Sequence, residues 1–119
     1  MSDRGSPTAN FASLAFSNTG TEICIGLTNG KIEFHECLES SLTGKLTFRY
    51  TGQDITLERG DYAFTMSYSR DDEKLSCGTE KRMLVVYSLC TIRGWEVRNK
   101  YQFSDFVSFC VYKMRLYPT

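Results

Sequence analysis

The chain has 119 residues, of which 41% are hydrophobic and 24% charged, and fourteen basic residues balance fourteen acidic ones. That is the make-up of one globular domain with no net field to draw it to nucleic acid or an anionic membrane. No apolar run is long enough for a transmembrane helix, and the polar start, with Gly5 and Pro7, lacks a signal-peptide core.

Met1 to Asn10 reads as a flexible tail. From Phe11 the chain turns to strand grammar, and residues 11–119 read as a single all-β region. Phe11–Ser17 is an apolar strand, Asn18-Thr19-Gly20 is turn chemistry, and Ile23, Ile25 and Leu27 alternate in a second strand. Gly26 weakens that strand unless another backbone or side chain comes close. Asn29-Gly30 is a strong hairpin signal and predicts a two-residue turn of the primed type, with positive φ at both positions. Lys31–Glu36 forms the third strand, with Ile32 and Phe34 on one face.

Cys37 to Thr43 is polar and reads as a loop. In Lys45–Thr51, Leu46, Phe48 and Tyr50 alternate with polar residues, the pattern of a half-exposed outer strand. Gly52-Gln53-Asp54 predicts a turn, with Ile55 and Leu57 in a short strand beyond it. Arg59-Gly60-Asp61 matches an integrin-binding tripeptide, but in this context it reads as an ordinary turn.

The same grammar then returns. Phe16 pairs with Tyr68, Ser17 with Ser69, Ile23 with Leu75, Gly26 with Gly78, Ile32 with Leu84 and His35 with Tyr87, all at an offset of 52 residues. A fixed offset is the mark of a repeated supersecondary unit. Strands are predicted over 63–69, 74–78, 83–88 and 95–103, with turns at Arg70–Glu73 and Thr79–Arg82. In the last strand Trp95, Val97, Tyr101 and Phe103 share one parity. Residues 104–119 hold a partial strand starting at Phe106.

This order of strands and turns resembles the WD40 repeat. Leu14–Ser17, Thr19-Gly20, Ile23–Gly26, Asn29-Gly30 and Ile32–Glu36 match one blade, and Met66–Ser69, Asp71-Asp72, Leu75–Gly78 and Leu84–Ser88 match a second. The family's Trp position holds His35 and Tyr87, its Asp position holds Glu36 and Ser88, and no Gly-His dipeptide precedes either copy. The offset also exceeds the usual period of about 40–45 residues, the excess falling between Cys37 and Asp61. The resemblance implies two blades of a β-propeller, residues 11–61 and 62–103. The alternative is a small β-sandwich or open barrel with Trp95 and Tyr101 lining a groove. A propeller closes with about 4–8 blades, so two leave uncovered flanks. Phe16, Ile25, Tyr68 and Leu84 are the candidates to lie there, and self-association or a protein partner would cover them.

No phosphate-binding glycine motif occurs, and His35 is the single histidine. No catalytic triad, metal site or cofactor is indicated. The five cysteines, Cys24, Cys37, Cys77, Cys90 and Cys110, are odd in number and form no Cys-x-x-Cys pair, which points to reduced thiols and an intracellular, cytoplasmic location. Cys24 and Cys77 sit in apolar strands, which suits small hydrophobes better than nucleophiles. The expectation is a non-enzymatic protein–protein scaffold, with a peptide- or ligand-binding β domain as the alternative. The resemblance places its contacts on the loops at Thr28–Gly30, Arg59–Tyr62 and Thr79–Arg82, through Arg59, Asp61, Tyr62, Lys81 and Arg82.

Overall fold

A computed structural model describes residues 9–90, 92 and 94–103. The predicted strand from Phe106 and the first eight residues of the predicted tail lie outside them. Eight strands run in order: β1 (Phe11–Phe16), β2 (Glu22–Leu27), β3 (Lys31–Glu39), β4 (Leu46–Thr56), β5 (Ala63–Tyr68), β6 (Lys74–Thr79), β7 (Met83–Cys90) and β8 (Gly94–Gln102). They make two four-stranded antiparallel meanders, β1-β2-β3-β4 and β5-β6-β7-β8. We call these blade one and blade two.

The repeat extends to individual hydrogen bonds. Ser17 N–H donates to Glu22 O at 2.9 Å, and Ser69 N–H to Lys74 O at 2.8 Å. Thr28 N–H donates to Asn10 O and Glu80 N–H to Tyr62 O, at 2.9 and 3.0 Å. Asn10, read as tail, is therefore tied to the ladder. The Ser17 and Ser69 hydroxyls each accept the backbone N–H that opens the next strand, Glu22 at 3.1 Å and Lys74 at 3.0 Å. Both blades carry a bulge between equivalent residues of their first strands, and another where the third strand meets the fourth.

The core lies between the blades. Cys24, Ile32, Phe34 and Ile55 of blade one bury against Met66, Tyr68, Leu75, Cys77, Val85 and Tyr87 of blade two. Trp95 stacks on Phe34 with ring centroids 5.3 Å apart. Gly26 has the close neighbour its placement calls for: a Cβ there would stand 2.6 Å from Ser13 Oγ and 3.2 Å from Ala63 O. The inner strands β1 and β5 meet at this point, where Ser13 Oγ–H donates to Ala63 O at 2.8 Å. Where the blades meet at Asn18, its backbone and side-chain N–H groups each reach Asp72 Oδ1 at 2.8 Å.

Cys37, Leu38 and Glu39, expected in a loop, extend β3 because Phe48, Thr47 and Leu46 pair with them, and four further local expectations are corrected. First, β4 continues through Gly52-Gln53-Asp54, because Gly52 takes φ +85° and absorbs a ladder irregularity there. Second, Asn29 is not at positive φ: Gly30 N–H bonds Leu27 O at 3.0 Å and Gly30 alone takes φ +94°. The loop is the three-residue kind that ends in a left-handed residue. Third, a bulge at Arg98 breaks the parity of β8, so Val97 lies opposite Tyr87 but Tyr101 lies opposite Leu84, on the other face. Trp95 and Tyr101 therefore do not line one groove. Fourth, Tyr68 and Leu84 are buried, whereas Phe16 stays 50% exposed and Ile25 is half-buried.

Candidate interaction surface

The chain passes from blade one to blade two through residues 57–62, and this segment is wedged between one turn of each blade. Leu57 N–H donates to Gly30 O at 2.9 Å, which ties it to the β2–β3 turn. Asp61 Oδ1 accepts Tyr62 N–H at 2.9 Å and Lys81 N–H at 3.1 Å, which ties it to the β6–β7 turn. Lys81 Nζ reaches Arg59 O at 3.2 Å, and the Tyr62 hydroxyl reaches Glu80 Oε1 at 3.4 Å. The three loops predicted at one end of the blades thus form one continuous surface.

Of the five predicted contact residues, Arg59, Lys81 and Arg82 are exposed and Tyr62 is half-buried on this surface. Asp61 is different, being only 4% exposed. Its carboxylate is turned inward as a backbone acceptor, the cheapest way to bury a charge at a loop crossing. Arg59-Gly60-Asp61 is a turn, closed by Asp61 N–H to Glu58 O at 3.0 Å, with Gly60 at φ +80°. Its carboxylate is not presented to a partner. The Glu58–Lys100 ion pair, at 3.2 Å, joins the blades beside this loop. Nothing in the spacing of those two residues forecasts the pair.

A cleft of about 100 Å³ opens beneath it, lined by Leu57, Met83, Val85 and Lys100 among others. Small-molecule sites usually measure about 300–1,000 Å³, so this space suits a few waters rather than a ligand. Among the described residues no group of three or more metal-ligating side chains converges. His35 sits on the outer flank of blade one, 3.2 Å from Glu33 Oε1 and tilted against the Tyr50 ring at 5.3 Å. It stands where blade two has the buried Tyr87.

Burial pushes the Cys24 thiol up to about 12, partly opposed by its hydrogen bond to Tyr68. Its sulfur lies 3.9 Å from Met66 Sδ. The thiol stays protonated at neutral pH and packs as a small apolar group in the core. Burial also raises the Tyr68 and Tyr87 phenols, and a hydrogen bond from Tyr68 Oη–H to Glu22 Oε1, 2.8 Å long, keeps the former proton in place.

No family model and no curated protein sequence matches the chain. Solved structures do. The β-propeller domain of Cps50 (Swd1) from Myceliophteria thermophila superposes with a TM-score of 0.57 at 11% identity, over 81% of this chain and 30% of that one. Two consecutive meander blades with their first strands side by side are propeller architecture, and the fold is propeller-like. The chain spans under a third of the length of the domain it matches. Among the described residues no helix is long and apolar enough to cross a membrane.

Proposed function

We propose that this chain is a non-enzymatic protein–protein interaction module of WD40 type that works as part of a larger assembly. The observation that carries this reading is the convergence of the 28–30, 57–62 and 79–82 segments on one end of two rigid sheets. Variable loops held by a stiff scaffold are the usual means of protein recognition. Arg59, Tyr62, Lys81 and Arg82 supply the contact groups, with Tyr and Arg the favoured anchor types. Asp61 sets the loop rather than touching the partner.

The test is quantitative affinity capture with the native chain and with an Arg59→Ala/Tyr62→Ala/Lys81→Ala variant. Arg59 and Lys81 are exposed in turns and Tyr62 is half-buried outside the strands, so the Tm should move by no more than about 3 °C. A defined set of captured proteins should fall at least fivefold. An unchanged set at unchanged Tm would remove this surface from the function.

A further inference from the structure

The two blades are related by the repeat, so the face that blade two turns toward blade one has a counterpart on the free side of blade one. On blade two that face carries Tyr68, Trp95 and Lys100. Ladder registers give the counterparts. Leu89 lies opposite Trp95 as Cys37 lies opposite Phe48, and Val85 lies opposite Lys100 as Glu33 lies opposite Asp54. Phe16 takes the place of Tyr68 at the 52-residue offset.

In blade two Trp95 is stacked on the neighbouring blade, whereas Phe48 is 51% exposed and Phe16 50%. The free flank therefore keeps the apolar half of the internal interface. Its other half is reversed in charge. Lys100 Nζ meets Glu58 Oε2 of the crossing segment that leaves blade one, at 3.2 Å. Asp54, standing where Lys100 stands, is a carboxylate. It accepts the Tyr50 hydroxyl at 2.6 Å and has Lys31 Nζ at 3.9 Å, with Glu33 opposite it on the same face. Glu33 is itself engaged with His35. Two carboxylates against one half-exposed ammonium leave this corner acidic.

We propose that the free flank of blade one receives a further four-stranded blade from outside these 119 residues, one that carries a basic side chain opposite Asp54 and apolar side chains opposite Phe16 and Phe48. A blade identical to blade one is disfavoured, since it would place the counterpart of Glu58 against Asp54. Like charges at an interface cost affinity and select against the wrong partner.

The test keeps the whole chain and inserts a second copy of residues 9–60 before residue 9, which preserves the 52-residue spacing. Two inserts are compared, one unaltered and one with Glu58→Lys in the copy. The Glu58→Lys insert should raise the Tm by about 5 °C over the unaltered insert at low salt. It should also bind less ANS than the native chain, and both effects should be lost with Phe48→Asp in the original blade. Equal behaviour of the two inserts, or a gain indifferent to Phe48→Asp, would overturn the proposal. Concentration-dependent dimerisation of the native chain that Phe48→Asp abolishes would also overturn it, by making a second copy the occupant. None of these readouts involves Arg59, Tyr62 or Lys81, so they stand apart from the test of the loop surface.

Discussion

Blade one and blade two trace the same backbone with different residues. The turn after the first strand has Gly20 at φ +77° in blade one and Asp72 at φ +62° in blade two. The turn after the second strand has Gly30 at φ +94° and Arg82 at φ +61°. Glycine takes the left-handed region freely, whereas a side chain there costs roughly 1–2 kcal/mol. Asp72 offsets that cost: its carboxylate accepts Asn18 N–H and Asn18 Nδ2–H at 2.8 Å each, and Thr19 N–H at 3.2 Å. The repeat keeps the backbone conformation, while the residue at a strained position reports what else that copy must do. In blade two the first of these turns holds the neighbouring blade.

The widest gap between the blades should appear at Trp95 and Phe48. Trp95→Ala removes a ring stacked on Phe34 and set edge-on to Tyr68 at 6.3 Å, and should cost about 3 kcal/mol. Phe48→Ala, at the equivalent but half-exposed position, should cost less than about 1 kcal/mol in the isolated chain. Trp95→Phe should cost well under half as much as Trp95→Ala, because the ring stack is kept and the buried Nε1–H has no hydrogen-bond partner among the described residues. Urea unfolding of the three variants checks the order. Equal losses at Phe48 and Trp95 would mean that the flank of blade one is already covered.

Gly30→Val comes next. Its Cβ would sit 3.0 Å from Asp61 O, in a conformation that a β-branched residue resists. The expected loss is about 2–3 kcal/mol. The same substitution at Gly20, where a Cβ would meet nothing within 4 Å, should carry only the strain. The difference between the two melting curves measures how tightly the crossing segment is pressed on the turn.

How far the sequence foretold this molecule follows from the same contrast. The strands were legible because alternation and the repeat reinforce each other: Phe16 to His35 and Tyr68 to Tyr87 correspond residue for residue. The turns at 28–30, 59–62 and 79–82 were legible because turn residues lie at the strand ends, whereas their meeting at one end of the blades was implied only by the resemblance. Three features were not. The Arg98 bulge reverses which face Tyr101 occupies, and a bulge adds one residue without a compositional signal. Gly52 looked like a turn because a positive-φ glycine serves a turn and a bulge alike. Asp61 looked like a contact residue because burial of a loop carboxylate depends on which turn the fold brings beside it.

Acid should weaken the seam between the blades before it weakens either sheet. Burial opposes ionisation of Asp72, but the hydrogen bonds from Asn18 and Thr19 outweigh it and hold the carboxyl below its usual range. A carboxylate lowered in this way adds stability that is fully present above the unfolded value of about 3.9. The contribution is lost as pH falls through the folded pKa. Because the site is partly open to solvent, the expected contribution is no more than about 1 kcal/mol. The stability of Asp72→Asn, followed from pH 6 to pH 3, should therefore decline less steeply than that of the native chain. Parallel curves would mean that the Asn18 contact does not depend on the charge.

The smallest effect should be a gain. Arg82 takes the conformation of Gly30, and its backbone bonds copy that residue's: its N–H donates to Thr79 O at 2.9 Å and its carbonyl accepts Phe103 N–H at 3.0 Å. Arg82→Gly keeps both and relieves the left-handed strain. Glycine also loosens the unfolded chain, so the net gain should be about 0.5–1 kcal/mol, read as a small rise in Tm. Natural chains keep such strain where a side chain is needed. The informative outcome is the pair of measurements: a higher Tm together with weaker partner capture would assign Arg82 to the loop surface. A higher Tm with capture unchanged would leave its strain without a use there and move the contact onto Arg59, Tyr62 and Lys81.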